Sequence, residues 1–215
     1  MKVRVGLVGA GHMGEVHGRL LAGDDRVELA GVFDPCQERA ERLAATLGTA
    51  AVRSLGGLLD RECTALYVLS PNTRHREPVL AALARGVHVF SEKPMATSLA
   101  EAEEIRQAVA ASPGLVYQLG LNRRFAPVYQ AIKEICDEAT LAHVKMNRGE
   151  LLNPAWVGDT SLTGGFLYES TYHLLDLVRW LFGEVETVTV QARAVNYPEH
   201  DNFAMLLCFR SGLSV

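Results

Sequence analysis

No sign of charge dominates this sequence: 21 basic side chains face 25 acidic ones, a formal charge of −4. Without a basic stripe or a lysine and arginine run, there is no electrostatic footprint for nucleic acid or for an anionic membrane surface. No apolar run approaches the roughly eighteen residues of a spanning helix. The N-terminal run is too short for a secretory h-region and leads into glycines instead of a cleavage site. Cysteine is sparse. Cys36, Cys63, Cys136 and Cys208 lie far apart with no C-x-x-C spacing, which argues against a disulfide framework or zinc site and for reduced thiols in a cytoplasmic protein. Internal repeats, low-complexity tracts and flexible linkers are also missing. What is present is 48% apolar residues, enough at this length for one large core or two smaller ones.

The chain is organised around residues 3–14, V-R-V-G-L-V-G-A-G-H-M-G. A short apolar strand runs into a glycine turn, and a helical stretch follows. Glycine is required where the chain turns (Gly9), where backbone approaches a pyrophosphate (Gly11) and where helix packs on strand (Gly14). His12 and Met13 complete the turn, and the phosphates would rest on free amides at the helix N-terminus. The second strand, 27–33, ends in Asp34, twenty residues past Gly14. A carboxylate there accepts ribose hydroxyls and repels a 2′-phosphate, favouring NAD over NADP. A plain turn role before Pro35 competes with that reading.

Strands and helices then alternate. Helix 35–47 stops at Gly48, and a short strand covers 50–52. The unbroken apolar run 65–69 reads as a strand buried on both faces, and a helix extends to Arg85. Strand 87–90 precedes a helix capped by Ser98 with Glu101 at capping-box spacing, and strand 115–119 follows. This order predicts a doubly wound parallel sheet, α/β in class, over residues 1–121. Ligands of such sheets sit at the carboxyl ends of the strands, which gathers Ser70, Pro71 and Asn72, then Glu92, Lys93 and Pro94, then Asn122, Arg123 and Arg124. Residues 122–215 read as an α+β substrate domain with an open, mainly antiparallel sheet. Its expected parts are a helix over 126–138, a strand over 141–150, a loop over 151–163, a helix to Phe182 stopping at Gly183, and strands over 185–194 and 202–210.

Glu169, His173 and Asp176 stand at i, i+4 and i+7, one helical face with two carboxylates and an imidazole. The pattern fits an ordinary polar face or acid–base catalysis, in which His173 takes a hydroxyl proton beside a carboxylate. The residue types also suit a metal, but with no further ligand in view no metal is assigned.

Taken together, G-x-G-x-x-G, Glu92-Lys93-Pro94, Asn122-Arg123-Arg124-Phe125 and the G-G…E-x-x-x-H-x-x-D helix resemble the Gfo/Idh/MocA oxidoreductases, which include inositol dehydrogenases and glucose–fructose oxidoreductase. The resemblance runs in order along the whole chain. Family members usually continue for roughly a hundred more residues that complete the second sheet, so the chain is expected to stop within its second domain. The resemblance implies NAD-dependent transfer of a hydride between nicotinamide and a carbinol carbon of a sugar, sugar derivative or cyclitol. It makes Lys93 and His173 catalytic, with Glu169 where many members have aspartate. Lys93, Arg124, Trp156, His173 and Asp176 are the expected substrate contacts, in a site between two domains. Phe166 and Thr171 stand where glycine is common. Asn153, Tyr168 and Tyr172 flank this region, while His17 and His75 read as packing, capping or cofactor-border residues. A homodimer or homotetramer through the second-domain sheet is expected. A non-catalytic dinucleotide sensor and an NAD-recycling glycoside hydrolase remain alternatives.

Overall fold

The structure, a computed structural model, describes residues 2–149 and 155–215. It divides into two compact units, Met1–Gly120 and Leu121–Val215.

The first unit carries strands β1 (Val3–Val8), β2 (Val27–Phe33), β3 (Ala51–Val52), β4 (Ala65–Val68), β5 (His88–Ser91) and β6 (Tyr117–Leu119). All pair in parallel, in the order β3-β2-β1-β4-β5-β6. The order reverses between β1 and β4, so a crevice opens there at the carboxyl ends of the strands. Helices α1 (His12–Ala22), α2 (Gln37–Leu47), α3 (Leu55–Leu59), α4 (Arg76–Ala84) and α5 (Leu99–Ala110) make the crossovers. Side chains alternate across the sheet, so each strand feeds two cores. Val5 and Leu7 pack with Val32, Ala40 and Leu43, while Val8 packs with Leu66, Val68, Val79, Val89 and Ile105. The expected stops hold: Gly48 ends α2 at φ +67°, and the Ser98 hydroxyl accepts the Glu101 amide to start α5.

The second unit contains α6 (Pro127–Ile135), the one-turn helix α7 (Thr160–Thr163), α8 (Tyr172–Phe182) and an antiparallel pair, β7 (Val185–Arg193) and β8 (Asn202–Phe209). Val178 of α8 packs against Leu207, Phe209 and Leu213.

Two expectations change here. Residues 141–149 form no strand; Leu141 makes a single bridge with Ser214, and the Ala142 amide donates to the Ser214 carbonyl. The reason lies in β8. Leu207 and Phe209 already bond on their second side to Val215 and Leu213, so that stretch of the edge is filled. The 151–163 loop also carries short helical turns at Ala155–Gly158 and Thr160–Thr163. Asp159 caps the second by accepting the Ser161 amide. Asn153 and residue 150 lie outside the described residues.

Candidate functional site

The glycine turn is built by close backbone contact. Gly9 has φ +104°, and a Cβ there would lie 2.7 Å from the Leu69 carbonyl group. A Cβ on Gly14 would stand 2.2 Å from the Gly9 oxygen. Gly11 differs: a Cβ there meets nothing within 4 Å, and no side chain caps α1, which starts at the next residue. The first amides of a helix have no intrahelical acceptor. An open cradle over a helix N-terminus is the shape a pyrophosphate fits, so the residues suit a dinucleotide. His12 is exposed and Met13 half-buried at this end.

Asp34 is 6% exposed. One carboxylate oxygen accepts the Ala10 amide at 2.8 Å, and the other accepts the Cys36 amide at 2.8 Å and the Arg39 guanidinium at 2.8 and 3.2 Å. The acid at the end of β2 therefore also fastens the glycine turn. Arg39, absent from the expected site, had a signal in the sequence: a cation in the first turn of a helix opposes the helix dipole and needs a local anion.

At the ends of β4 and β5 sit Ser70, Pro71 and Asn72, then Glu92, Lys93 and Pro94. Asn72 is buried and Lys93 half-buried. Glu92 is gripped from two sides: His17 Nε2 lies 2.9 Å from Oε1, and the Lys93 amide donates to Oε2 at 3.2 Å. Burial alone would raise the Glu92 pKa. The hydrogen bond and charge of His17, with the amide and charge of Lys93, reverse that and hold it below its ordinary value. The His17 ring lies 5.2 Å from that of Phe90, which stacks on Tyr67. His75 caps no helix; it is fully buried between the Pro94 and Ser70 carbonyls. Neither histidine stands out in the sequence, because a histidine at helical spacing looks the same whether it braces a loop or fills a core.

In the second unit, Glu169 sits in a π-helical turn, Leu167–Thr171, that feeds α8. Four-residue spacing cannot distinguish i→i+5 from i→i+4 bonding, so the regular helix expected here is corrected to a wider turn, a feature frequent at functional sites. Glu169 is 9% exposed and His173 half-buried, one turn further on. Ser170 is 1% exposed, and its hydroxyl has no partner among the described residues. Asp176 is engaged by Arg124: Nε donates to Oδ2 at 2.9 Å and a terminal nitrogen to Oδ1. That bidentate pair braces the Asn122–Phe125 turn against α8. Trp156 is 38% exposed. A cavity in this unit, lined by residues 143–149 with Thr171, Leu174, Met205 and others, takes none of the candidate residues into its wall. No described helix is long and apolar enough to cross a membrane.

Comparison with known proteins follows the same division. Residues 3–121 match the family model described as an oxidoreductase family with an NAD-binding Rossmann fold, and residues 129–215 match the GFO/IDH/MocA C-terminal domain. The chain is 35% identical over 213 residues to an inositol 2-dehydrogenase of Acidothermus cellulolyticus, covering 95% of this chain and 62% of that protein. It is 32% identical over 201 residues to a glucose-6-phosphate 3-dehydrogenase of Bacillus subtilis, covering 89% and 57%. The chain thus spans less than two thirds of these relatives. Among solved structures, the UDP-N-acetylglucosamine 3-dehydrogenase GnnA of Acidithiobacillus ferrooxidans superposes with a TM-score of 0.81 at 26% identity, over 100% of this chain and 68% of that one. With both of its units matched in order, the chain belongs to the Gfo/Idh/MocA oxidoreductase family.

Proposed function

We propose that the chain is the nucleotide-binding and catalytic portion of a cytoplasmic NAD-dependent dehydrogenase acting on a secondary alcohol of a sugar, sugar derivative or cyclitol. The observation that carries this reading is the cradle at Gly11, at the same strand edge as Asp34 and the Glu92-Lys93-Pro94 loop. The relatives named for inositol and glucose 6-phosphate support the substrate class. The chemistry a bound nicotinamide would supply is hydride transfer to or from the carbinol carbon.

The chain's own groups handle everything else. Gly9, Gly11, His12, Met13 and Gly14 receive the pyrophosphate, Asp34 the adenosine ribose, and Ser70, Pro71, Asn72 and Glu92 border the nicotinamide half. Lys93 holds the reacting oxygen and stabilises its developing negative charge. His173 takes the hydroxyl proton during oxidation and returns it during reduction. Glu169 orients His173 and supports its charged form. Arg124, Asp176 and Trp156 shape the substrate side, the first two as a locked pair. Assembly of two or four copies is assigned to this sheet, where Val188 and Val190 of β7 are about half exposed on one face and Leu206 of β8 on the other.

The test is reduced-nicotinamide absorbance, with NAD and NADP supplied separately against cyclitols, aldoses, sugar phosphates and nucleotide sugars. A rise with NAD and one substrate class is expected. Tight NAD binding with no net reduction on any substrate would contradict the dehydrogenase and favour the sensor or, if glycosides are cleaved, the NAD-recycling hydrolase.

A further inference from the structure

His75 occupies the position before α4 yet caps nothing. Its ring is fully buried, with Nδ1 2.7 Å from the Pro94 carbonyl and Nε2 2.8 Å from the Ser70 carbonyl. Those oxygens belong to the loops that leave two neighbouring parallel strands, β4 and β5. Both are acceptors, and the ring spans them with whichever nitrogen carries its proton. A neutral imidazole carries one ring N–H and satisfies one carbonyl at a time; satisfying both takes a second proton. Burial outweighs the upward pull of both carbonyls and Glu92 and, with Lys93, holds the His75 pKa below its ordinary value, so the neutral ring with its single N–H is favoured. A core position that needed only volume would hold an apolar side chain, which leaves both carbonyls without this donor.

We infer that His75 is a positioning residue that ties the Pro94 carbonyl to the Ser70 loop and so fixes the backbone from which Lys93 projects. The inference rests on the reading of Lys93 as the group that holds the reacting oxygen. A lysine ammonium rides on a flexible four-carbon stem, so its place is set by the backbone that anchors it. A displacement of about 1 Å at a reacting group costs on the order of 100-fold in rate.

The experiment compares His75→Leu, which keeps bulk without a donor, with His75→Gln, which keeps one donor. Two quantities are read on the full chain. One is turnover with NAD and the substrate found above. The other is the acetylation rate of Lys93 by acetic anhydride in the cofactor-free protein, measured by mass spectrometry against Lys2 and Lys145 as internal references. For His75→Leu, kcat should fall roughly 10- to 100-fold with KM and NAD affinity within about twofold, and relative Lys93 acetylation should change at least about threefold. His75→Gln should recover part of both effects. A His75→Leu protein that matches wild type in both overturns the inference, because bulk alone then suffices. Should that variant fail to fold, His75→Met, likewise without a donor, carries the test: altered Lys93 acetylation with Lys2 and Lys145 unchanged supports it, and unaltered acetylation overturns it. Altered acetylation in a protein whose wild type turns over no substrate supports the tie and removes only the catalytic reading of Lys93.

Discussion

The carboxylate of Asp34 accepts the backbone N–H of Ala10 at 2.8 Å, so the acidic end of β2 is fastened to the glycine turn. Charge and hydrogen bonding can therefore be separated at this residue. Asp34→Asn keeps an acceptor for Ala10 but releases Arg39 from its counter-ion, which favours a 2′-phosphate nearby. We expect it to fold, to lose about tenfold in NAD affinity and to gain in NADP affinity relative to NAD. Asp34→Ala should in addition lose about 1–3 kcal/mol of stability. Calorimetric titration with both dinucleotides, alongside denaturant unfolding, measures the two effects.

Gly11 and Gly14 are equal in the motif but not in their surroundings. Gly14→Ala forces a Cβ to 2.2 Å from the Gly9 oxygen and should destabilise by about 1–3 kcal/mol or more. Gly11→Ala meets no atom within 4 Å, so the fold should lose no more than about 1 kcal/mol, the preference for Gly over Ala at an N-cap. Its methyl group fills the cradle instead, and dinucleotide affinity should drop at least about tenfold. Unfolding curves and NAD titration of the two variants separate these outcomes.

The grip of His17 on Glu92 predicts a pH dependence. The Glu92 pKa is held below its ordinary value, so its contribution to stability is present above about pH 4.5 and is lost as pH falls through the depressed value. His17→Phe keeps a ring against Phe90 and Tyr67 but removes the donor, leaving burial to dominate. The variant should melt roughly 2–8 °C below wild type near pH 6, and the gap should close as pH falls through the depressed Glu92 value. A gap constant across that range would show that Glu92 is not the group involved.

Ser170 is buried in the π-helical turn with a hydroxyl that has no partner among the described residues. Removing the oxygen removes a desolvated polar group, so Ser170→Ala should stabilise the protein by about 1 kcal/mol, seen as a higher denaturation midpoint at unchanged slope. Destabilisation of similar size would mean that the hydroxyl is used in the fold.

Much of the first unit is legible in the sequence because each cue is local. The apolar run ending at Gly9, the Gly48 stop and the Ser98 cap each specify their own neighbourhood. The second unit is less so. The strand expected at 141–150 depended on a partner edge, and residues 213 to 215 occupy the outer side of β8. The turn at Glu169 is π-helical for reasons that spacing does not encode. In the candidate site, the glycines, Asp34 and Lys93 follow from motif, whereas Arg39, His17 and His75 act through contacts with residues 5, 75 and 19 positions away. The latter two separations cross whole strands and helices, beyond any local pattern.

Lys93→Ala addresses the proposed chemistry most directly. Turnover of the identified alcohol should fall by roughly 10²–10⁴ while NAD affinity stays nearly unchanged, because the lysine acts on the reacting oxygen and not on dinucleotide binding. Turnover equal to wild type would contradict the assignment of Lys93 and, with it, the catalytic reading of the Glu92-Lys93-Pro94 loop.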